Sequence, residues 1–340
     1  MTAAFRIGLV IAVFLIGACD RDLRLPEYEL TGATMGTGFS IKLVAPPESL
    51  SQEALQQKVS DTLERIENLA STYRSHSEIS LFNANQSTDW IDVSAEFCGA
   101  IERALAISRR TDGAFDITVG PLVNLWGFGP DEMVERPPTQ EDVSAALSRV
   151  GYERLQADCP SLAIRKDRND LYVDLSGWVK GYAVDELAAL LDDNALTNYL
   201  VEIGGEMRVR GHNADSLDWA VAIEKPVASM RAAQTVLRLT DRGVATSGDY
   251  RNYFEYEGRR YSHTIDARSG WPVSHALAAV TVIDQSAAFA DGMATAFLVL
   301  GPEAGPALAE KLGIAGYFLV RGQTGVEELT TSLFDAMKLQ

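Results

Sequence analysis

Cysteine is scarce in this 340-residue chain, with only Cys19, Cys98 and Cys159 present. None stands in a C-x-x-C pair, which excludes the common zinc-ribbon and dithiol redox patterns. The Walker pattern G-x-x-x-x-G-K-[ST] and the dinucleotide fingerprint G-x-G-x-x-G are also missing. Basic charge is short: 30 Lys and Arg face 47 Asp and Glu, for a formal net charge of −17. A surface that acidic repels nucleic acid, so DNA and RNA binding is discarded except for isolated nucleotides. No low-complexity linker divides the chain and no fixed-period repeat runs through it. What remains is a long chain, 46% hydrophobic, able to bury a large core as one big domain or two lobes.

The N-terminus reads as an address. Residues 1–18 carry one charge, Arg6, before the apolar run Ile7 to Ala18, the pattern of a signal peptide. The run is too short for a transmembrane helix, which needs about 20 apolar residues. It ends Leu15-Ile16-Gly17-Ala18-Cys19, which resembles a bacterial lipobox. That resemblance implies cleavage and lipidation of Cys19, with 19–30 as a tether and 31–340 as the working domain. Loss of Arg6 with residues 1–18 would take the formal charge from −17 to −18. Asp20 resembles an inner-membrane retention signal, so the expected location is the periplasmic face of the inner membrane, lipid-anchored. Cys98 and Cys159 could pair in an oxidising compartment, but sequence separation does not establish proximity, and two packed thiols are expected.

Along the chain, residues 28–44 alternate like a strand interrupted by Gly32, Gly36 and Gly38. Leu55, Val59, Leu63, Ile66 and Leu69 form a helical stripe, and a polar loop with Tyr73 and His76 follows. Ser94 caps a helix to Arg110, and Thr139 caps another to Val150. Phe115 to Val119, Ala163 to Lys166 and Leu171 to Leu175 read as strands. Ser176-Gly177 is a small-residue turn before a helix reaching Leu191, and Gly204-Gly205 kinks the strand pieces around it. Glu257-Gly258 marks a hairpin, Ala278 to Ile283 a buried strand, and Ala288 to Leu300 a buried helix. A helix over 302–312 and a strand over 316–320 complete the order. Without regular βαβ alternation, the fold class is α+β with largely antiparallel sheets.

Within this order, Asp291 and Thr295 stand at i and i+4 on the buried helix, two oxygen donors on one face. Such donors suit Mg²⁺, which keeps waters and shares its shell with phosphates. Taken alone, the pair is better explained by a carboxylate placed near a helix start and a threonine packed in the core. Lys180 at the start of a helix suits phosphate, or is a solvated surface lysine. His76 and His275 read as surface loop residues, whereas His263 lies in the loop S-H-T-I-D-A-R-S-G. The aromatic and glycine-containing run T-D-G-A-F-D-I-T-V-G is a slot for a planar ring, or ordinary core.

The series M-G-T, T-D-G-A-F-D-I-T-V-G-P-L, D-L-S-G-W-V-K-G-Y-A-V-D, I-G-G-E, A-T-S-G-D-Y, S-H-T-I-D-A-R-S-G and A-D-G-M-A-T resembles the ApbE-type family of FAD:protein FMN transferases. The resemblance runs from about Thr31 to Leu300. It implies an ApbE-like fold with an FAD cleft between two lobes. It also implies FAD contacts at Met35, Tyr73, Ala114, Phe115, Asp116, Asp174, Lys180 and Ile265. The Asp291 carboxylate, the Thr295 hydroxyl and the Gly177 carbonyl match the metal shell, and His263 matches the catalytic histidine. Ala267 stands where the family usually has Pro, and Trp178-Val179 is bulkier than the usual pair; neither removes a functional group. The implied reaction moves FMN from FAD to a Thr or Ser of an exported or membrane-bound electron-transfer protein. Hydrolysis of FAD to FMN and AMP at the same site, or storage of FAD without turnover, are the alternatives.

Overall fold

The computed structural model describes residues 24–338 apart from 48, 131–133, 135, 227–231, 251 and 324. The expected signal segment and Cys19 lie outside the described residues. The frame is an eight-stranded sheet whose neighbours are all antiparallel. In spatial order its strands are Glu27–Thr34, Thr37–Val44, Tyr199–Ile203, Glu206–Arg210, Arg242–Gly248, Leu277–Asp284, Ala315–Arg321 and Val326–Thr330. The first begins at Glu27, inside the expected tether. Together with the packed helices, this is the α+β class expected from the sequence.

The central Leu277–Asp284 strand explains why its sequence is apolar without a gap. Val280 and Val282 join the larger core, whereas Ala279 and Ile283 join the core on the opposite face. The larger core holds α1 (Gln52–Ala70), α2 (Glu78–Ala84), α3 (Ala95–Arg110), α6 (Val179–Asp193) and α7 (Ala287–Leu312), while α4 (Gly120–Leu125) and α5 (Gln140–Leu147) pack outside it. The opposite face is covered by the hairpin Trp219–Glu224/Ala233–Leu239 and by Phe334. A third, aromatic-rich core joins Leu122, Trp126 and Val143 to Tyr261, Ile265 and Ala267, and makes a smaller lobe. Gly301, at φ 83, kinks α7 where the sequence predicts two helices.

Several expected elements take another form. Residues 28–44 are two strands joined by a two-residue turn, Met35-Gly36, at φ 49 and 72. Both residues are left-handed, as tight hairpins require, though Met carries no signal for that turn. Gly204-Gly205 likewise turns a hairpin, with Ile203 opposite Glu206. Phe115 to Val119 is not a strand. Asp116 accepts from the Thr118 N–H at 2.8 Å, an Asx turn that feeds the short helix at Gly120–Leu125. Leu171 to Leu175 pairs with no strand among the described residues either. Asn83 takes a strand's place: its amide donates to the Val173 carbonyl at 2.8 Å, and its oxygen accepts from the Val173 N–H at 2.7 Å. Beside it the buried Lys166 ammonium reaches the carbonyls of Phe82, Asn83 and Leu171. Cys98 and Cys159 form a disulfide with Cα atoms 5.5 Å apart, not two free thiols. Cys98 is buried on α3, and Cys159 opens a short turn packed against that helix.

Candidate active site

The smaller lobe and the main sheet enclose a cleft of about 860 Å³. Met35, Tyr73, Ala114, Phe115, Asp116, Asp174, Gly177, Lys180, His263, Ile265, Asp291 and Thr295 all line it. Every sequence-predicted site residue except Cys19, which is not described, is therefore brought to one cavity.

One corner is built where α6 crosses α7. A Cβ on Gly181 would lie 2.3 Å from the Ala287 carbonyl oxygen, so only glycine permits the crossing. The same close approach lets the Gly181 N–H donate to Asp291 Oδ2 at 3.0 Å. Asp185, one turn further along α6, accepts from the N–H groups of Ala287 and Ala288 and from the Ser286 hydroxyl. Its carboxylate therefore satisfies otherwise unpaired donors at the start of α7. Asp291 is 3% exposed, and burial raises its carboxyl pKa against the opposing pull of Lys180. Thr295 Oγ1 donates toward the Gly177 carbonyl at 3.4 Å and lies 3.0 Å from Ser247 Oγ. Carboxylate, carbonyl and hydroxyl oxygens thus converge, the donor chemistry a hard cation takes. No group of three or more His, Cys, Asp or Glu side chains forms a metal cage among the described residues. One carboxylate with neutral oxygens instead fits Mg²⁺, which fills its shell with water and substrate phosphates.

Lys180 is not the solvated surface lysine. Its Nζ lies 2.7 Å from Oε2 of Glu206, a residue only 2% exposed. Burial alone would lower the Lys180 pKa, but the neighbouring Glu206 and Asp291 hold it up. Burial, then repulsion from Asp291, pushes the Glu206 carboxyl above its usual range. Asp174 Oδ1 accepts from the Ser176 N–H at 2.8 Å, shaping the turn that presents Gly177.

On the facing wall, His263 Nδ1 is 3.0 Å from the Asn252 carbonyl oxygen. A carbonyl only accepts, so the ring hydrogen sits on Nδ1 and the Nε2 lone pair is available. Burial lowers the imidazole pKa, with the Asn252 contact opposing. At the mouth, Tyr73 is 68% exposed. Glu67 accepts from Thr34 Oγ1 at 2.9 Å and from the Met35 N–H at 3.0 Å, and pairs with Arg74, fixing the Met35 turn against α1. His275 is no open surface residue: its ring nitrogens are buried and it packs against Gly301. His76 is exposed, as expected.

The sequence reading assigned no role to Glu67, Gly181, Asp185, Glu206 or Ser247. Gly181 and Asp185 did carry a signal, a glycine and an acid at i and i+4 on one helix face. Trp178, the bulky departure, is buried and stacks on Tyr182 at 4.9 Å. Gly292 opposite makes room for Ile107 rather than for the indole, since a Cβ there would sit 2.6 Å from Ile107 Cδ1 but 3.4 Å from Trp178.

This α+β frame, with a cleft between unequal lobes and an oxygen-lined corner, matches a known class of proteins. The chain belongs to the ApbE family, whose profile matches residues 35–318. A Vibrio cholerae relative named FAD:protein FMN transferase is 41% identical, covering 95% of this chain and 96% of the relative. An Escherichia coli K12 relative of the same name is 38% identical, covering 93% and 92%. The structure of the flavin transferase ApbE from Vibrio cholerae superposes with a TM-score of 0.86 at 40% identity, over 92% of this chain and 99% of that one. The apo Pseudomonas stutzeri flavinyl transferase ApbE gives 0.85 at 41% identity, over 92% and 97%.

Proposed function

We propose that this protein transfers the FMN moiety of FAD onto a Thr or Ser hydroxyl of an exported or membrane-bound electron-transfer protein, releasing AMP, with Mg²⁺ required. The observation that carries the reading is the facing pair of walls. The His263 Nε2 lone pair shares one cleft with Lys180 and with the oxygens of Asp291, Thr295 and Gly177. The names of the relatives supply the substrate class.

The chemistry is phosphoryl transfer. The acceptor oxygen forms a bond to the FMN-side phosphorus, and the bond from that phosphorus to the bridging oxygen breaks. AMP leaves with that electron pair, and the hydroxyl proton passes to His263 Nε2. Lys180 holds a positive charge where the phosphoryl oxygens gain negative charge. Asp291, Thr295 and the Gly177 carbonyl would hold Mg²⁺, which when bound adds Lewis-acid stabilisation of the phosphates. Met35, Phe115 and Ile265 supply apolar surface for the flavin and exclude water, and Tyr73 can close over the mouth.

The disulfide and the lipobox-like N-terminus support an exported, lipid-anchored enzyme at the periplasmic face of the inner membrane. The test is to incubate the mature protein with FAD, with and without Mg²⁺ and a candidate acceptor subunit. Acid-stable flavin fluorescence on the acceptor, with AMP released only when Mg²⁺ is present, is expected. AMP and free FMN with every exported acceptor left unlabelled would make it a pyrophosphatase; intact bound FAD would make it a binding protein.

A further inference from the structure

Ser247 is outside the residues given a role so far, yet its hydroxyl touches the cation corner. It lies on the Arg242–Gly248 strand opposite Val280 and lines the cleft. Its Oγ is 3.0 Å from Thr295 Oγ1, and Thr295 in turn donates toward the Gly177 carbonyl at 3.4 Å. A hydroxyl has one hydrogen and two lone pairs, whereas a carbonyl has lone pairs only. The hydrogen between Thr295 and Gly177 therefore belongs to Thr295, and Ser247 donates to Thr295.

That arrangement cannot survive cation binding. Two oxygens that share a cation must both turn lone pairs to it, so no hydrogen can stay between them. The Thr295 hydrogen needs another acceptor, and Ser247 Oγ stands at hydrogen-bond distance. We propose that Ser247 is a positioning residue for the cation site. It takes the Thr295 hydrogen when the cation binds and so turns a Thr295 lone pair onto the metal. Its own hydrogen is then released toward the cleft, where a phosphate oxygen of the substrate is a matching acceptor. Ser247 thereby couples cation affinity to substrate affinity. Partners of this kind, one bond removed from a metal, are typically worth about 10–100-fold in metal affinity. The inference rests on the proposed cation site at Asp291 and Thr295.

The test is calorimetric titration of Mg²⁺ into the EDTA-treated full-length mature protein, with and without FAD, for wild type, Ser247→Ala and Ser247→Thr. Melting in EDTA serves as the folding control. The expected result is an Mg²⁺ affinity about tenfold or more weaker in Ser247→Ala. Melting in EDTA should stay cooperative, with no more than the small fall expected from losing the Ser247–Thr295 hydrogen bond. The mutual strengthening of Mg²⁺ and FAD should be lost, and affinity and coupling should both be restored in Ser247→Thr. Ser247→Ala binding Mg²⁺ as wild type does would overturn the role of Ser247 alone. Should Ser247→Ala fail to fold, Ser247→Gly replaces it, with the same outcomes. No Mg²⁺ binding by wild type, with or without FAD, would overturn the cation site itself and this inference with it.

Discussion

His263, the proposed base, can take a proton only while Nε2 is unprotonated. Burial moves its pKa below the ordinary imidazole value, so the neutral form persists to lower pH than in a free histidine. Activity should therefore be retained as pH falls to about 6.5. It should be lost only below that, as His263 gains its proton. A kcat/KM profile with its acid limb inflecting at or above 6.5 would place the base elsewhere. His263→Ala should lower kcat by about 10²–10⁴-fold while FAD affinity, read by flavin fluorescence quenching, changes little. Asp291 makes a separate claim. Asp291→Asn removes the charge but keeps the shape, so FAD transfer should no longer respond to Mg²⁺ between trace and saturating levels. A variant retaining the full Mg²⁺ response would show that the cation sits elsewhere. Neither residue's role is visible in its type alone. His275 is also an imidazole in a loop, and the structure buries its ring nitrogens near Gly301 with no hydrogen-bond partner among the described residues.

At the scale of elements, the site depends on two close fits. Gly181 is one, since a side chain there meets the Ala287 backbone. Gly181→Ala should cost about 1–3 kcal/mol by overpacking. It should also push Lys180 and the Gly181 N–H away from Asp291, raising the KM for FAD. Unchanged urea midpoint and KM would mean that the helices slide apart freely. Asn83 is the other fit. It stands in for a strand beside Val173, and Asn83→Ala strips both partners from that backbone. Each buried group left unsatisfied costs about 1–3 kcal/mol, and the loosened segment leads directly to Asp174 and Gly177. Lower stability together with weaker FAD binding is expected; lower stability alone would confine Asn83 to the fold. These fits also explain which elements could be read in advance. The buried α7 announced itself by an unbroken apolar run around Asp291 and Thr295, and the hairpin at Glu257-Gly258 by its turn residues. Leu171 to Leu175 read as a strand because its residues want a ladder, and nothing local reveals that a distant asparagine supplies it. The Met35 turn was hidden for the opposite reason. Its left-handed conformation is held from outside, by Glu67, and not by its own preference.

For the whole molecule, the disulfide is the structural feature that bears on the proposed export. Cys98 and Cys159 are 61 residues apart, a span that holds Ala114 to Asp116 and the start of the smaller lobe. Closing a loop of that size restricts the unfolded chain and is worth about 2–4 kcal/mol. Neither cysteine is among the residues that line the cleft. Its loss should therefore act on stability and leave the chemistry intact. Cys98→Ser/Cys159→Ser should unfold at lower urea concentration while its kcat, measured well below the transition, stays near wild type. A fall in kcat at full folding would mean that α3 transmits strain to Phe115 and the flavin wall. The same comparison bears on export. If the bond matters for stability, the protein made without residues 1–18, the proposed signal segment, in a reducing cytoplasm, should match the double serine variant in urea and regain the wild-type midpoint on oxidation. Equal midpoints before and after oxidation would remove the disulfide as an argument for the periplasm, leaving only the N-terminal sequence to carry it.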